Sequence, residues 1–155
     1  MSPLPEQLSA DLRRFADLVP LDHGLAVVAV TRPDGTVHAS VTNAGVLAHP
    51  LTGTLVVGIV TRGGTRKLHY LHTHARTTVV LRAGWKWAAV EGTAELAGPD
   101  DPLAGVDTPR LRMLLREIFT AAGGQHDDWD TYDQTMAAER RTAVLVTPER
   151  VLTNR

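Results

Sequence analysis

Residues 55–81 read LVVGIVTRGGTRKLHYLHTHARTTVVL, and this stretch decides the fold class. Leu55–Val60 is an unbroken apolar run of strand length, and Thr77–Leu81 is rich in β-branched residues, so both read as strands. Between them, Thr61–Lys67 forms a basic, glycine-bearing turn that opens a short helix. Working outward, Leu25–Val30 is another apolar run, and Pro33-Asp34-Gly35 signals a hairpin into the next strand. There Val37, Ala39 and Val41 alternate with His38, Ser40 and Thr42, as in a strand with one polar face. Trp85, Trp87 and Ala89 alternate with Lys86, Ala88 and Val90 in a fifth strand, running on through Gly92 to Leu96. Ala143–Val146 and Val151-Leu152 read as two further strands broken by Thr147-Pro148-Glu149. Most connections are too short for parallel crossovers, which need a dozen or more residues. The spacing suits a mainly β (α+β) fold, an antiparallel sheet of six to seven strands closed as a small barrel with flanking helices. An open α+β sandwich satisfies the same pattern.

Three helices complete the reading. Leu8, Leu12, Phe15 and Val19 recur at helical spacing until Pro20. After the Pro/Asp/Gly-rich linker Gly98–Gly105, Thr108 reads as an N-cap and Pro109 as the first helical residue. Leu111, Leu114, Leu115, Ile118 and Phe119 form its apolar stripe, and Gly123-Gly124 stops it. Asp127 or Asp128 caps the last helix, on which Trp129, Tyr132 and Met136 share a face.

The 155 residues suit one domain, 1–155, with 43% hydrophobic residues and a net charge of −1. There is no cysteine, which excludes disulfides, thiol catalysis and thiolate metal sites. No stretch approaches the ~20 apolar residues that span a bilayer, and Met1–Gln7 lacks a secretory pattern. The expectation is a soluble cytoplasmic protein without membrane partners.

The near-zero charge conceals an asymmetry. From Gly35 to Val90 there is no Asp or Glu, yet the window carries Arg62, Arg66, Lys67, Arg76, Arg82 and Lys86, with His38, His49, His69, His72 and His74. Acids concentrate between Glu91 and Glu139. Such a chain does not coat a polyanion but can focus one anionic ligand locally. Nucleic-acid binding is disfavoured, because no base-stacking aromatics accompany the arginines.

Nucleophiles are few: Ser2, Ser9 and Ser40 are the only serines, and none sits in a G-x-S-x-G elbow. His72-Thr73-His74 falls in the short helix, where the two imidazoles diverge and no acid neighbours them in sequence, so no metal site is expected. Phosphate binding fits better. Glycines and backbone amides at a strand-to-helix turn attract anions, Arg66 offers a two-pronged donor, and Lys67 adds a mobile charge. A solvated basic turn is the competing reading, and neither P-loop nor dinucleotide-fold spacing is present.

The segments TRGGTRKLHYLHTHARTTVVL at 61–81, GWKWAAVEGTAEL at 84–96 and DDWDTYDQTMAAERRTAVLVTPERV at 127–151 together resemble one family. It is the pyridoxamine-5′-phosphate-oxidase-like split-barrel proteins, flavin/deazaflavin oxidoreductase branch, of actinobacterial type. The resemblance implies a homodimeric Greek-key split barrel with cofactor clefts at the interface. It implies that Thr61, Arg62, Arg66 and Lys67 hold the phosphate of a deazaflavin (coenzyme F-420) or of flavin mononucleotide (FMN). Ser40, Val41 and Thr42 would line the ring, with Trp87 and the Arg140-Arg141 region approaching from either subunit. Leu68–Arg76, with its three histidines, departs from the family's pattern and adds pH-dependent charge near an anionic tail. The implied activity is hydride transfer between reduced deazaflavin and a small conjugated acceptor. The alternatives are FMN-dependent oxidoreduction and a non-catalytic flavin-, deazaflavin- or tetrapyrrole-binding protein.

Overall fold

The computed structural model describes residues 4–154; Met1–Pro3, the start of the segment read as lacking a leader, lie outside them. Helix α1, Glu6–Leu18, buries Leu12 and Phe15 completely and tightens at Pro20 into a single 3-10 turn, Val19–Leu21. Six strands follow: β1 Leu25–Thr31, β2 Val37–Ala48, β3 Leu55–Thr61, β4 Arg76–Ala83, β5 Lys86–Ala97 and β6 Thr142–Thr153. They close in the order β1-β2-β3-β6-β5-β4, every pairing antiparallel, so the barrel alternative holds over the open sandwich. Helix α2, Arg66–Thr73, carries the chain from β3 to β4, which are not neighbours; α3, Thr108–Ala121, and α4, Trp129–Ala138, lie between β5 and β6.

The core has two layers. Inside the barrel, Val28, Val79, Val90 and Val146 pack with Leu12 and Phe15 of α1, which plugs it. Outside, Val56 and Leu145 pack under Leu114, Leu115 and Ile118 of α3 and Tyr132 of α4. β3 and the first half of β6 are thus buried on both faces, which explains why they read as apolar runs without alternation. Arg116 binds α3 to α4 by bridging to Asp133 and lying 5.2 Å over the Trp129 ring. His49 secures the β2–β3 turn: Nδ1 accepts from the amides of Leu51 and Thr52, and Nε2 meets Glu95 at 3.0 Å.

Two local readings change. The strands read as separate around Pro148 are one strand, β6. Its pairing with β5 shifts register between Glu91 and Gly92, so Glu91 pairs with Arg150 and Gly92 with Pro148. The irregularity accommodates a residue that cannot donate to a ladder, and a Cβ on Gly92 would stand 2.0 Å from the Thr147 carbonyl oxygen. The cap of α3 is Asp107, not Thr108; its carboxylate accepts from the Arg110 amide. Asp128 caps α4, accepting from the Thr131 amide and hydroxyl.

Strand register lines up Val41, Val27, Val80, Ala89 and Leu152 in one row across β2, β1, β4, β5 and β6, on the outward face. Val41 is 66% exposed, Val27 42% and Leu152 44%, whereas Ala89 between them is buried.

Candidate functional site: the split between strands 2 and 3

The ladder between β2 and β3 runs only from Ala44↔Ile59 to Ala48↔Leu55. Upstream, residues 37–43 of β2 pair with β1 alone, while Val60 and Thr61 pair with β6 alone. The two strands separate there, and the barrel is split. Register places His38, Ser40 and Thr42 opposite the buried Val30, Val28 and Ala26, so the polar face of β2 turns toward the opening. Val41 points the other way. The alternation legible in the sequence is therefore real, but its apolar half faces solvent.

The basic turn lies at the end of β3. Thr61 is buried, with Oγ1 3.4 Å from Thr65 Oγ1. Gly63 donates its amide to the Glu139 carbonyl, and a Cβ there would lie 2.6 Å from the Arg140 carbonyl oxygen, so only glycine seats the turn on the α4–β6 junction. Arg62 reaches Glu139 at 3.4 Å. The Arg66 guanidinium beside Tyr70 holds that phenol below its ordinary value, assisted by Arg32 from the β1–β2 hairpin. Lys67 is only 8% exposed and has no hydrogen bond or ion pair with any described residue. Burial pushes its ammonium below the usual 10.5. His38 stands edge-on to Tyr70, ring centres 5.6 Å apart. His38 Nδ1 and Ser40 Oγ are buried polar atoms without a partner.

A cation on a largely buried side chain and two unpaired buried polar atoms are costly in a folded chain. His38 and Ser40 lie on the β2 side of the split and Lys67 on α2 after the basic turn, where Glu139 reaches Arg62. The donor set fits a phosphate-bearing ligand with hydrogen-bonding groups beside the phosphate.

A cleft of about 380 Å³ borders the opening, lined by Thr42 and Val60 from the split strands, Ile118 and Phe119 of α3, and Tyr132 and Met136 of α4, with Arg141 and His23 at its polar end. Its size and its mix of apolar walls with few polar groups are those of a small-molecule site. Phe119, Trp129 and Tyr132 meet edge-on or tilted, ring centres 5.1 to 6.0 Å apart, holding the wall in place. Burial pushes the Tyr132 phenol up to about 12, and its hydroxyl donates to the Leu115 carbonyl oxygen.

The structure thus gathers Ser40, Thr42, Thr61, Arg62, Arg66 and Lys67 around the split, with Val41 on the outer face of the same strand. Trp87 lies apart, beside Trp85 on the β4–β5 hairpin and against Leu18 and Leu21. Asn154 bonds the backbone of both tryptophans; Trp85 is 92% and Trp87 37% exposed, so neither is a core residue. Arg140 bridges to Asp100 on the surface, its φ of 51° turning its side chain away while its carbonyl meets Gly63. Arg32, His38, Tyr70 and Glu139 escaped sequence reading because only tertiary packing brings them to the turn. His72 does find an acid, Asp101 at 2.8 Å, across the chain. No group of three metal-ligating side chains occurs among the described residues.

No protein-family model matches the chain. Solved structures do. A pyridoxamine 5′-phosphate oxidase-related, FMN-binding protein from Nostoc punctiforme has a TM-score of 0.65 at 14% identity, covering 99% of this chain and 86% of that one. A conserved hypothetical protein from Mycobacterium tuberculosis gives 0.64 at 19%, covering 97% and 84%. An F-420 reductase gives 0.59 at 14%, covering 96% and 98%. At these identities the likeness is one of fold. The chain is a six-stranded antiparallel split barrel, the architecture of pyridoxamine 5′-phosphate oxidase-like FMN-binding proteins and of an F-420 reductase.

Proposed function

We propose that this protein is a flavin-type oxidoreductase that uses coenzyme F-420 to exchange hydride with a small conjugated acceptor. The observation that carries the reading is the basic turn after β3, where the largely buried Lys67, with no ion-pair partner among the described residues, follows Arg62 and Arg66. An anionic group supplies what the fold withholds. Thr61, Arg62, Arg66 and Lys67 hold the phosphate, and Ser40 and Thr42 face the cofactor from β2. The bound cofactor supplies the hydride chemistry, which accords with a chain lacking an activated nucleophile. The protein's own share is binding and exclusion of water, with the Phe119–Tyr132 wall confining a planar acceptor beside the opening.

The acid-free window favours the deazaflavin, whose tail carries carboxylates beyond the phosphate, over FMN. FMN is the alternative, supported by the FMN-binding neighbour of the same fold. A second copy of the chain belongs on the outward row that carries the exposed Val41, Val27 and Leu152, because contiguous exposed apolar surface marks interfaces. That row shares β2 with the split, so the homodimer would border the cofactor site and bring side chains such as Trp87 or Arg140 to it.

The test is a side-by-side fluorescence titration with F-420 and FMN. Tight, salt-sensitive binding of F-420 supports the reading. Preference for FMN retains the site and changes the chemistry, and binding without turnover of any nitro, enone or bilin acceptor leaves a cofactor-binding protein. Failure to bind either cofactor refutes it.

A further inference from the structure

Among the described residues lining the cleft, Arg141 is the one formally charged side chain, with His23 adding an imidazole. A bare guanidinium facing Phe119 and Tyr132 would make the cleft a receptor for aromatic carboxylates, since a forked donor in partly dehydrated surroundings binds carboxylate strongly. It is not bare. Arg141 Nε donates to Glu139 Oε1 at 2.9 Å, and Nη2 stands 2.9 Å from the same oxygen. The other oxygen of Glu139 lies 3.4 Å from Arg62 Nη2, on the basic turn. Glu139 and Arg141 are 24% and 29% exposed, so water screens their pairing only in part.

The geometry points to Glu139 as the residue that sets the charge class of the acceptor. By occupying the Arg141 fork, it makes the cleft select uncharged planar molecules and reject aromatic carboxylates. Because one carboxylate serves both arginines, a phosphate that takes Arg62 leaves Arg141 as the remaining cationic partner of Glu139. The cleft then stays closed to anions when the turn is loaded. The inference rests on reading the cleft as the acceptor site, but its measurement needs no cofactor.

The probes are 2-naphthol and 2-naphthoate, titrated at neutral pH by ligand-observed NMR against the wild type, Glu139→Gln, and the double variant Glu139→Gln/Arg141→Gln. Glutamine keeps the shape and removes the charge. The wild type is expected to prefer naphthol. Glu139→Gln is expected to raise naphthoate affinity roughly tenfold, the worth of one released charge-assisted contact, with naphthol little changed. High salt and the double variant each abolish that gain. Equal binding of both probes by the wild type, an unchanged ratio in Glu139→Gln, or no binding of either probe overturns the inference. If the probes behave as described while F-420 and FMN fail to bind, the proposed function falls alone. If a cofactor binds and the ratio does not move, the charge selection falls alone.

Discussion

Replacing Lys67 with methionine separates what the buried ammonium does for ligand binding from what it does to the fold. Lys67 is 8% exposed, forms no ion pair with any described residue, and is held below its ordinary pKa by burial. Keeping an unpaired cation there costs several kcal/mol when fully charged, less once partial neutralisation relieves it. Methionine retains the length and discards the charge, so the ligand-free protein gains about 2 kcal/mol, or roughly 4–8 °C in Tm at this chain length. The cofactor phosphate, by contrast, loses a charge-assisted bond worth about 1.5–3 kcal/mol, a weakening of roughly 10- to 100-fold. The two effects have opposite signs, a pattern that no purely structural role produces. Thermal denaturation of the ligand-free variant and fluorescence titration with F-420 and FMN read them independently. A lower melting temperature together with unchanged cofactor affinity would refute the assignment of Lys67 to an anion.

Arg66→Ala should weaken the same cofactor by about 2 kcal/mol, measured by titration calorimetry. Lys67 also makes binding depend on pH. An anion restores its proton affinity, so binding takes up a proton, and affinity is full below the lowered free-state pKa and falls as pH rises through it, below the ordinary 10.5. Titrations across alkaline pH check the sign, and a flat profile counts against it. Gly63→Ala places a Cβ 2.6 Å from the Arg140 carbonyl oxygen, so the turn must shift from its seat and cofactor affinity should drop at least tenfold, a loss above about 1.4 kcal/mol. Val41→Lys puts a charge beside the exposed Val27, and sedimentation should show monomer where the proposed wild-type dimer is expected; a dimer that survives places the interface elsewhere.

Much of the fold was legible because burial writes periodicity into sequence. The helical stripes at Leu12–Phe15 and Leu114–Ile118, the paired runs at Leu25 and Leu55, and the Pro33-Asp34-Gly35 turn each follow from local chemistry. Pro148 misled for a local reason too: proline usually ends a strand, and only the register shift opposite Gly92 shows how β6 runs past it. Val37, Ala39 and Val41 were less informative than they looked. Alternation shows that a strand has two different faces, but not which one the rest of the chain covers.

The sequence by itself determined the strand and helix segments, the absence of thiol chemistry, and a basic turn free of neighbouring acids, because these depend on residue type and short-range spacing. Only the tertiary structure decided what that turn does with its charges. Folding places Glu139 against Arg62 and Arg141, brings Arg32 and Arg66 to Tyr70, and buries most of Lys67 with no ion-pair partner among the described residues. The physical reason is that pairing and desolvation depend on distances between groups far apart in the chain, and those distances exist only once the barrel has closed and split.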